Sequence, residues 1–264
     1  MDIKKKKIII FTGDDMFYVP LLLEDLIRNH KKDISHIYIS KSFLSINKII
    51  KKLNFFLKNN YPFCISIKDW LNFFILHFKL RLNSVIKNKP KNVSEFFTNI
   101  GIKNSYVNKV NIESFYKLLK DDMPDIIILA CFDKIVSKEL CKIAKYGTFN
   151  VHLGKLPEYK GGLSAFWVLR FQDNIAGASI HKVTPEIDSG PLIAEKHFYI
   201  DTKSMHNLML KTMQESSEFI TKTINNIYDG NINEIDIRGR ESKYVFYPSK
   251  YDFKKFYENG CRLI

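Results

Sequence analysis

The chain has 264 residues, 45% of them hydrophobic, enough for one large domain or one domain with a small appendage, and the composition excludes disorder. The formal charge of +13 invites an anionic partner, yet the excess is almost all lysine. Arginine stands only at Arg28, Arg81, Arg170, Arg238, Arg240 and Arg262, whereas nucleic-acid readers favour it for two-pronged contacts. The abundance of Lys, Ile, Asn, Phe and Tyr is what AT-rich coding would impose, so the charge reads as solvated lysine and neither DNA nor RNA is expected as a partner. Cys64, Cys131, Cys141 and Cys261 form no C-x-x-C pair and read as reduced thiols of a cytoplasmic protein.

Lys7 to Thr12 is a continuous apolar run, the pattern of a strand covered on both faces. It stops at Thr12-Gly13-Asp14, too early for a signal peptide, and no run approaches the length of a transmembrane segment. Val19, Leu22, Leu23, Leu26 and Ile27 then recur at helical spacing, and Ile34 to Ser40 alternates as a second strand. Strand–helix–strand implies a parallel sheet with right-handed crossovers. Between Lys41 and Lys91 the pattern is less regular: one helix around Leu44–Ile50, another over Asp69–Leu82, then a polar loop from Lys87. The second helix is apolar nearly all round and reads as buried; a dimer face or a membrane-surface patch is the alternative.

Ser105 to Val110 predicts a weak strand, Ile112 to Leu119 a helix, and Ile126 to Cys131 a central strand. Ser137 caps a helix over Lys138–Ala144 that ends at Gly147. Thr148 to His152 is the next strand. Ala176–Val183 and Pro191–Ile200 predict an antiparallel pair, and Ser204–Tyr228 a long helix with an apolar stripe. A short strand at Tyr244–Tyr247 and a helix near Asp252–Glu258 close the chain. The whole predicts an α/β, Rossmann-like, mostly parallel sheet with helices on both faces: a catalytic domain over 1–200 and a small C-terminal helical and strand extension over 201–264.

Chemistry-bearing residues concentrate between Phe149 and Ile193. Asn150 and His152 stand two apart on a strand and so share a face. Pro157 turns the chain into a loop, and Gly161-Gly162 allows close approach of a ligand to backbone. Asp188 precedes a turn glycine, Gly190. Such a trio suits acyl transfer to an amine: His152 accepts and returns the proton, Asp188 orients the imidazole, and Asn150 donates to the developing oxyanion, a contribution typically worth ~3 kcal/mol. Each residue alone reads more simply as a strand-end hydrogen bonder or a turn former.

The order Asn150-Val151-His152, Leu156-Pro157-Glu158-Tyr159-Lys160-Gly161, Asp188-Ser189-Gly190 resembles the formyltransferases that use 10-formyltetrahydrofolate, and the likeness extends over roughly residues 6–200. The resemblance implies that Asn150, His152 and Asp188 are catalytic. It implies a folate pocket at Ala130, Cys131, Phe132, Leu156, Pro157 and Ile187, with 10-formyltetrahydrofolate as formyl donor and no metal. Trp167, placed after the Tyr159-Lys160-Gly161-Gly162 loop, is similar to the Trp of the sugar N-formyltransferases. These five residues are therefore expected at the acceptor, a nucleotide-linked (dTDP- or UDP-) amino sugar, with Lys155, Lys160 and Arg170 as cations for its pyrophosphate. Ser164 and Ala165 depart from the Pro of several sugar enzymes. The family's sugar enzymes are often dimers, which implies a homodimer. The tRNA enzymes of the family carry a C-terminal barrel, and the roughly seventy residues after Ile193 do not read as one.

Other classes fit less well. The first turn lacks G-x-G-x-x-G, Gly162-Leu163-Ser164-Ala165 is an incomplete nucleophile elbow, and no H-E-x-x-H occurs. A tRNA formyltransferase and a non-catalytic basic binding module on the same fold remain the competing readings.

Overall fold

The computed structural model describes residues 6–41, 72, 75 and 90–264. The expected helix around Leu44–Ile50 lies outside the described residues, as does that over Asp69–Leu82 apart from Asn72 and Ile75, both helical. The first half of the chain runs β1 (Ile8–Gly13), α1 (Val19–Leu22), α2 (Glu24–His30), β2 (Ile34–Ser40), α3 (Val93–Asn99), β3 (Asn104–Val107), α4 (Glu113–Asp122), β4 (Ile126–Ala130). It continues α5 (Lys138–Cys141), β5 (Gly147–His152), β6 (Tyr159–Gly161), α6 (Ser164–Arg170), β7 (Ile175–Lys182), β8 (Leu192–Tyr199), α7 (Met205–Tyr228), β9 (Lys243–Val245), α8 (Lys250–Glu258).

Seven strands form one sheet in the order β3-β2-β1-β4-β5-β7-β8. The first five run parallel to one another, β7 runs antiparallel to β5, and β8 runs antiparallel to β7, the antiparallel pair expected over 176–200. Every residue of β1 is buried, and the period of two divides it between two cores. Ile8 and Ile10 meet Leu22, Leu26 and, from α7, Met213, Ile220 and Ile224. Ile9 and Phe11 meet Phe115 and Leu119 of α4 and Leu140 of α5. Helices therefore cover both faces.

α7 starts where the Ser204 side chain accepts from the Asn207 amide, satisfying one of the donors a helix start leaves open. Its stripe of Met213, Ile220, Ile224 and Ile227 is buried, each such side chain contributing about 1.5–3 kcal/mol. An aspartate at position 220 would set an unpaired charge in that core. The segment after residue 200 thus supplies one wall of the main core.

The expected helix over Lys138–Ala144 ends at Cys141, and the weak strand is β3, with Val110 turned into the second core. Two elements carry no readable sequence pattern. β6 spans three residues, too few for a period to show, and pairs in parallel with β9 as a second sheet. α6 buries five of its seven residues, which leaves no polar face to reveal helical spacing.

Candidate active site

At β5 the sheet changes direction, parallel to β4 on one side and antiparallel to β7 on the other. Phe149 and Val151 point into the first core, so Asn150 and His152 emerge together on the opposite face. Register sets His181 of β7 beside Asn150 and Ser179 beside His152. Ser179 is fully buried; its hydroxyl donates to the Gly154 carbonyl (2.8 Å) and accepts from the Leu156 amide (3.1 Å), holding the loop that leaves β5.

Asp188 is the hub. Its Oδ2 accepts from the Gly161 amide (2.8 Å) and lies 3.4 Å from His152 Nδ1; its Oδ1 accepts from Asn150 Nδ2 (3.2 Å) and lies 3.3 Å from His181 Nε2. Burial alone would raise this carboxyl's pKa, but His181, the charge available on His152 and the Gly161 amide outweigh it and bring it down to about 2. Asp188 also has φ 47, in the left-handed region that Asp and Asn tolerate better than most residues.

The rings are oriented by backbone. His152 Nε2 lies 2.6 Å from the Tyr159 carbonyl, which accepts, so the proton sits on Nε2 and Nδ1 faces Asp188 with its lone pair. Burial lowers the His152 pKa against the pull of Asp188, and the ring rests neutral. His181 Nδ1 donates to the Lys182 carbonyl at 2.8 Å. Its Nε2 then accepts from Asn150 Nδ2 (3.1 Å) in the neutral ring and turns to donor toward Asp188 only when charged. Sequence reasoning missed His181 and Ser179. The signal was present: on β7 they alternate with Ala178 and Ile180, placing two polar side chains on one face of a buried strand.

Asn150, His152, His181 and Asp188 line one cavity of about 480 Å³, with Leu129, Phe132, Val151, Met209 and Met213 among its apolar walls. The volume and the mix of apolar wall and convergent polar groups suit a small-molecule site. Cys131, Phe132, Ile187, Gly161 and Gly162 also border it. Burial pushes the Cys131 thiol up to about 12, which keeps it protonated. Ala130 is fully buried in the sheet behind that rim, and Leu156 packs with Leu192 and Ile237. Pro157 follows a cis bond beside the loop and is half-buried.

The acceptor-loop residues divide. Tyr159 and Trp167 are buried in a core with Phe166 and Phe256. Their polar tips are spoken for: Tyr159 Oη donates to Asp173 (2.7 Å) and Trp167 Nε1 to the Phe246 carbonyl (3.1 Å). Gly161 has φ 102, and a Cβ there would stand 2.2 Å from the Val245 carbonyl oxygen, so only glycine lets β6 lie this close to β9. Lys160 is 5% exposed and reaches Ser189 Oγ at 3.1 Å.

Comparison with known proteins gives a consistent setting. The sequence model of the family described as Formyl transferase matches residues 85–224, more than half of the chain. The bifunctional polymyxin resistance protein ArnA of Wigglesworthia glossinidia brevipalpis is 32% identical over 140 residues, 53% of this chain and 21% of that protein. The methionyl-tRNA formyltransferase of Prochlorococcus marinus is 30% identical over 148 residues, 53% of this chain and 45% of that protein. The chain spans about half or less of the length of these relatives. Among solved structures, the N-formyltransferase from Helicobacter canadensis, in complex with folinic acid and dTDP-3-aminofucose, shares the fold with a TM-score of 0.58 at 18% identity. The match covers 94% of this chain and 72% of that one.

Proposed function

The chain belongs to the formyl transferase family, and on that premise we propose that it moves a formyl group from 10-formyltetrahydrofolate to the amine of a dTDP- or UDP-linked amino sugar. The observation that carries the chemistry is the convergence of Asn150, His152 and His181 on the one carboxylate of Asp188, at the edge of a partly apolar cavity of about 480 Å³. That cavity's apolar walls fit a flat pterin ring. The bound folate supplies an activated formyl carbon.

Each step then belongs to a residue of this chain. Asn150 gives up its resting partners and donates an N–H to the oxygen on which charge develops, the largest single effect expected at an acyl-transfer site. His152 takes the proton of the attacking amine on Nδ1, the ring nitrogen that carries none at rest. Asp188, 3.4 Å away, stabilises the ring while it is charged. The same proton returns to the leaving nitrogen as the old carbon–nitrogen bond breaks, so no covalent enzyme intermediate is needed.

The acceptor reading is supported by the shared fold with an enzyme solved with dTDP-3-aminofucose. A second reading, formylation of methionyl-tRNA, is favoured by the curated relatives at 30% identity that carry that name. Transfer assays with 10-formyltetrahydrofolate and either dTDP- and UDP-amino sugars or methionyl-tRNA, with the formamide product detected by mass spectrometry, separate the two. We expect sugar formylation that is lost in His152→Asn. Activity surviving in His152→Asn would refute the mechanism, and formylation of methionyl-tRNA alone would replace the acceptor.

A further inference from the structure

We propose that Ser164, the first residue of α6, reads the acceptor: its side chain hydrogen-bonds a hydroxyl on the sugar carbon next to the reacting amine. This rests on the amino-sugar reading of the acceptor and adds to it a residue that sets specificity.

Ser164 is 8% exposed and lines the cavity that holds Asn150, His152 and Asp188. A hydroxyl can donate once and accept twice, and burial makes that capacity costly to leave unused. Three hydroxyl side chains line the cavity among the described residues, Ser164, Thr184 and Thr212. Thr184 Oγ1 donates to the Glu186 carbonyl (3.2 Å) and Thr212 Oγ1 to the Leu208 carbonyl (2.7 Å). Ser164 Oγ hydrogen-bonds to no described residue, and it opens onto the cavity instead of being sealed inside the protein. It is thus a buried hydroxyl with its full capacity turned toward a ligand.

Gly154 sets this hydroxyl beside the catalytic ring. A Cβ there would stand 2.5 Å from Ser164 Oγ and 2.8 Å from His152 Nε2, so hydroxyl and imidazole face each other across the Gly154 Cα. Gly154 has no left-handed φ, so what glycine supplies here is room. Any side chain would fill the gap between them. His152 Nε2 is committed to the Tyr159 carbonyl, and the amine belongs at Nδ1, toward Asp188. Ser164 Oγ, on the Nε2 side of the ring, is therefore offered to a neighbour of the amine and not to the amine itself. A sugar hydroxyl there pairs with it as donor or as acceptor.

The wall that carries Ser164 also points to the acceptor. It is the β6–α6 connection, whereas Cys131, Phe132 and Ile187, expected at the folate, come from the end of β4 and the loop before Asp188. α6 is held firmly: five of its seven residues are buried, and Trp167 Nε1 donates to the Phe246 carbonyl (3.1 Å). The hydroxyl is in place before a ligand arrives, as a specific contact requires. The proline that several sugar enzymes carry at Ser164 or Ala165 has no hydroxyl, so this contact belongs to the chain's own sequence.

Steady-state kinetics of the full chain with 10-formyltetrahydrofolate test this. The acceptors are pairs of dTDP- and UDP-linked amino sugars that differ only in the hydroxyl on the carbon next to the amine. The parent should prefer the hydroxylated member in kcat/KM. Ser164→Ala and Ser164→Pro should each lower that preference about tenfold, the effect of one hydrogen bond to a substrate hydroxyl. Proline suits the first position of a helix, and a preference is a ratio that partial unfolding leaves unchanged. The same preference in parent and variants overturns the assignment and leaves the acceptor reading standing. Equal loss on both members of a pair gives Ser164 a structural role and overturns it too. A parent that formylates no amino sugar overturns the acceptor reading and this inference with it.

Discussion

Replacing Asp188 by Asn removes the charge at the hub while keeping its shape and its tolerance of the left-handed backbone at φ 47. The surroundings hold the carboxyl at about 2 against an ordinary 3.8, so they favour the anion over a neutral group by about 2 kcal/mol. The sign follows from the direction. A depressed carboxyl pKa contributes stability that is complete above the unfolded value near 3.8 and is lost as the pH falls through about 2. Asp188→Asn should therefore be less stable than the parent by about 2 kcal/mol just above pH 4, where His152 can take up its charge, roughly 4–8 °C in Tm for a chain of this size, and by less at pH 7, where that ring is neutral. The gap should shrink to about half by pH 3. Thermal unfolding of both proteins between pH 7 and pH 3 measures it. Equal stability just above pH 4, or a gap that does not change with pH, would show that the partners of Asp188 do not favour its charge, and the account of the hub would fail.

Burial holds the His152 pKa below 6.5, so the acid limb of kcat/KM for formyl transfer should lie below that pH; a limb above it would mean Asp188 outweighs burial. Gly190→Ala would bring a Cβ within 1.8 Å of the Lys182 carbonyl oxygen, the group that also accepts from His181 Nδ1. It should cost about 1–3 kcal/mol in denaturant unfolding and reduce kcat through the turned imidazole. The Cys131 thiol, pushed up to about 12, should escape alkylation at pH 8 in the native protein and react in denaturant, as peptide mapping would show.

Long elements with a clear period are legible in the sequence. The all-apolar runs of β1 and β4, the alternation of β2 and the stripe of α7 each follow from one repeating environment along the chain. Asn150, His152 and Asp188 were legible as candidates because two of them stand on one strand, the third precedes a turn, and their order with the Leu156–Gly161 loop carries the family resemblance; the structure brings the three side chains together. β6 and α6 were not legible: three residues show no period, and a helix buried on most sides shows no stripe.

What the sequence by itself determined is local: which segments are strands or helices, which residues share a strand face, and where glycine and proline turn the chain. Only the tertiary structure decided what depends on partners distant in the chain. It brought His181 beside Asn150 across two antiparallel strands, set Asp188 against both imidazoles, and laid β9 along β6 so that Tyr244 reaches Lys160. The physical reason is that periodicity reports a residue's side of its own element. Hydrogen-bond partners, proton position and burial of charge are properties of the assembled neighbourhood.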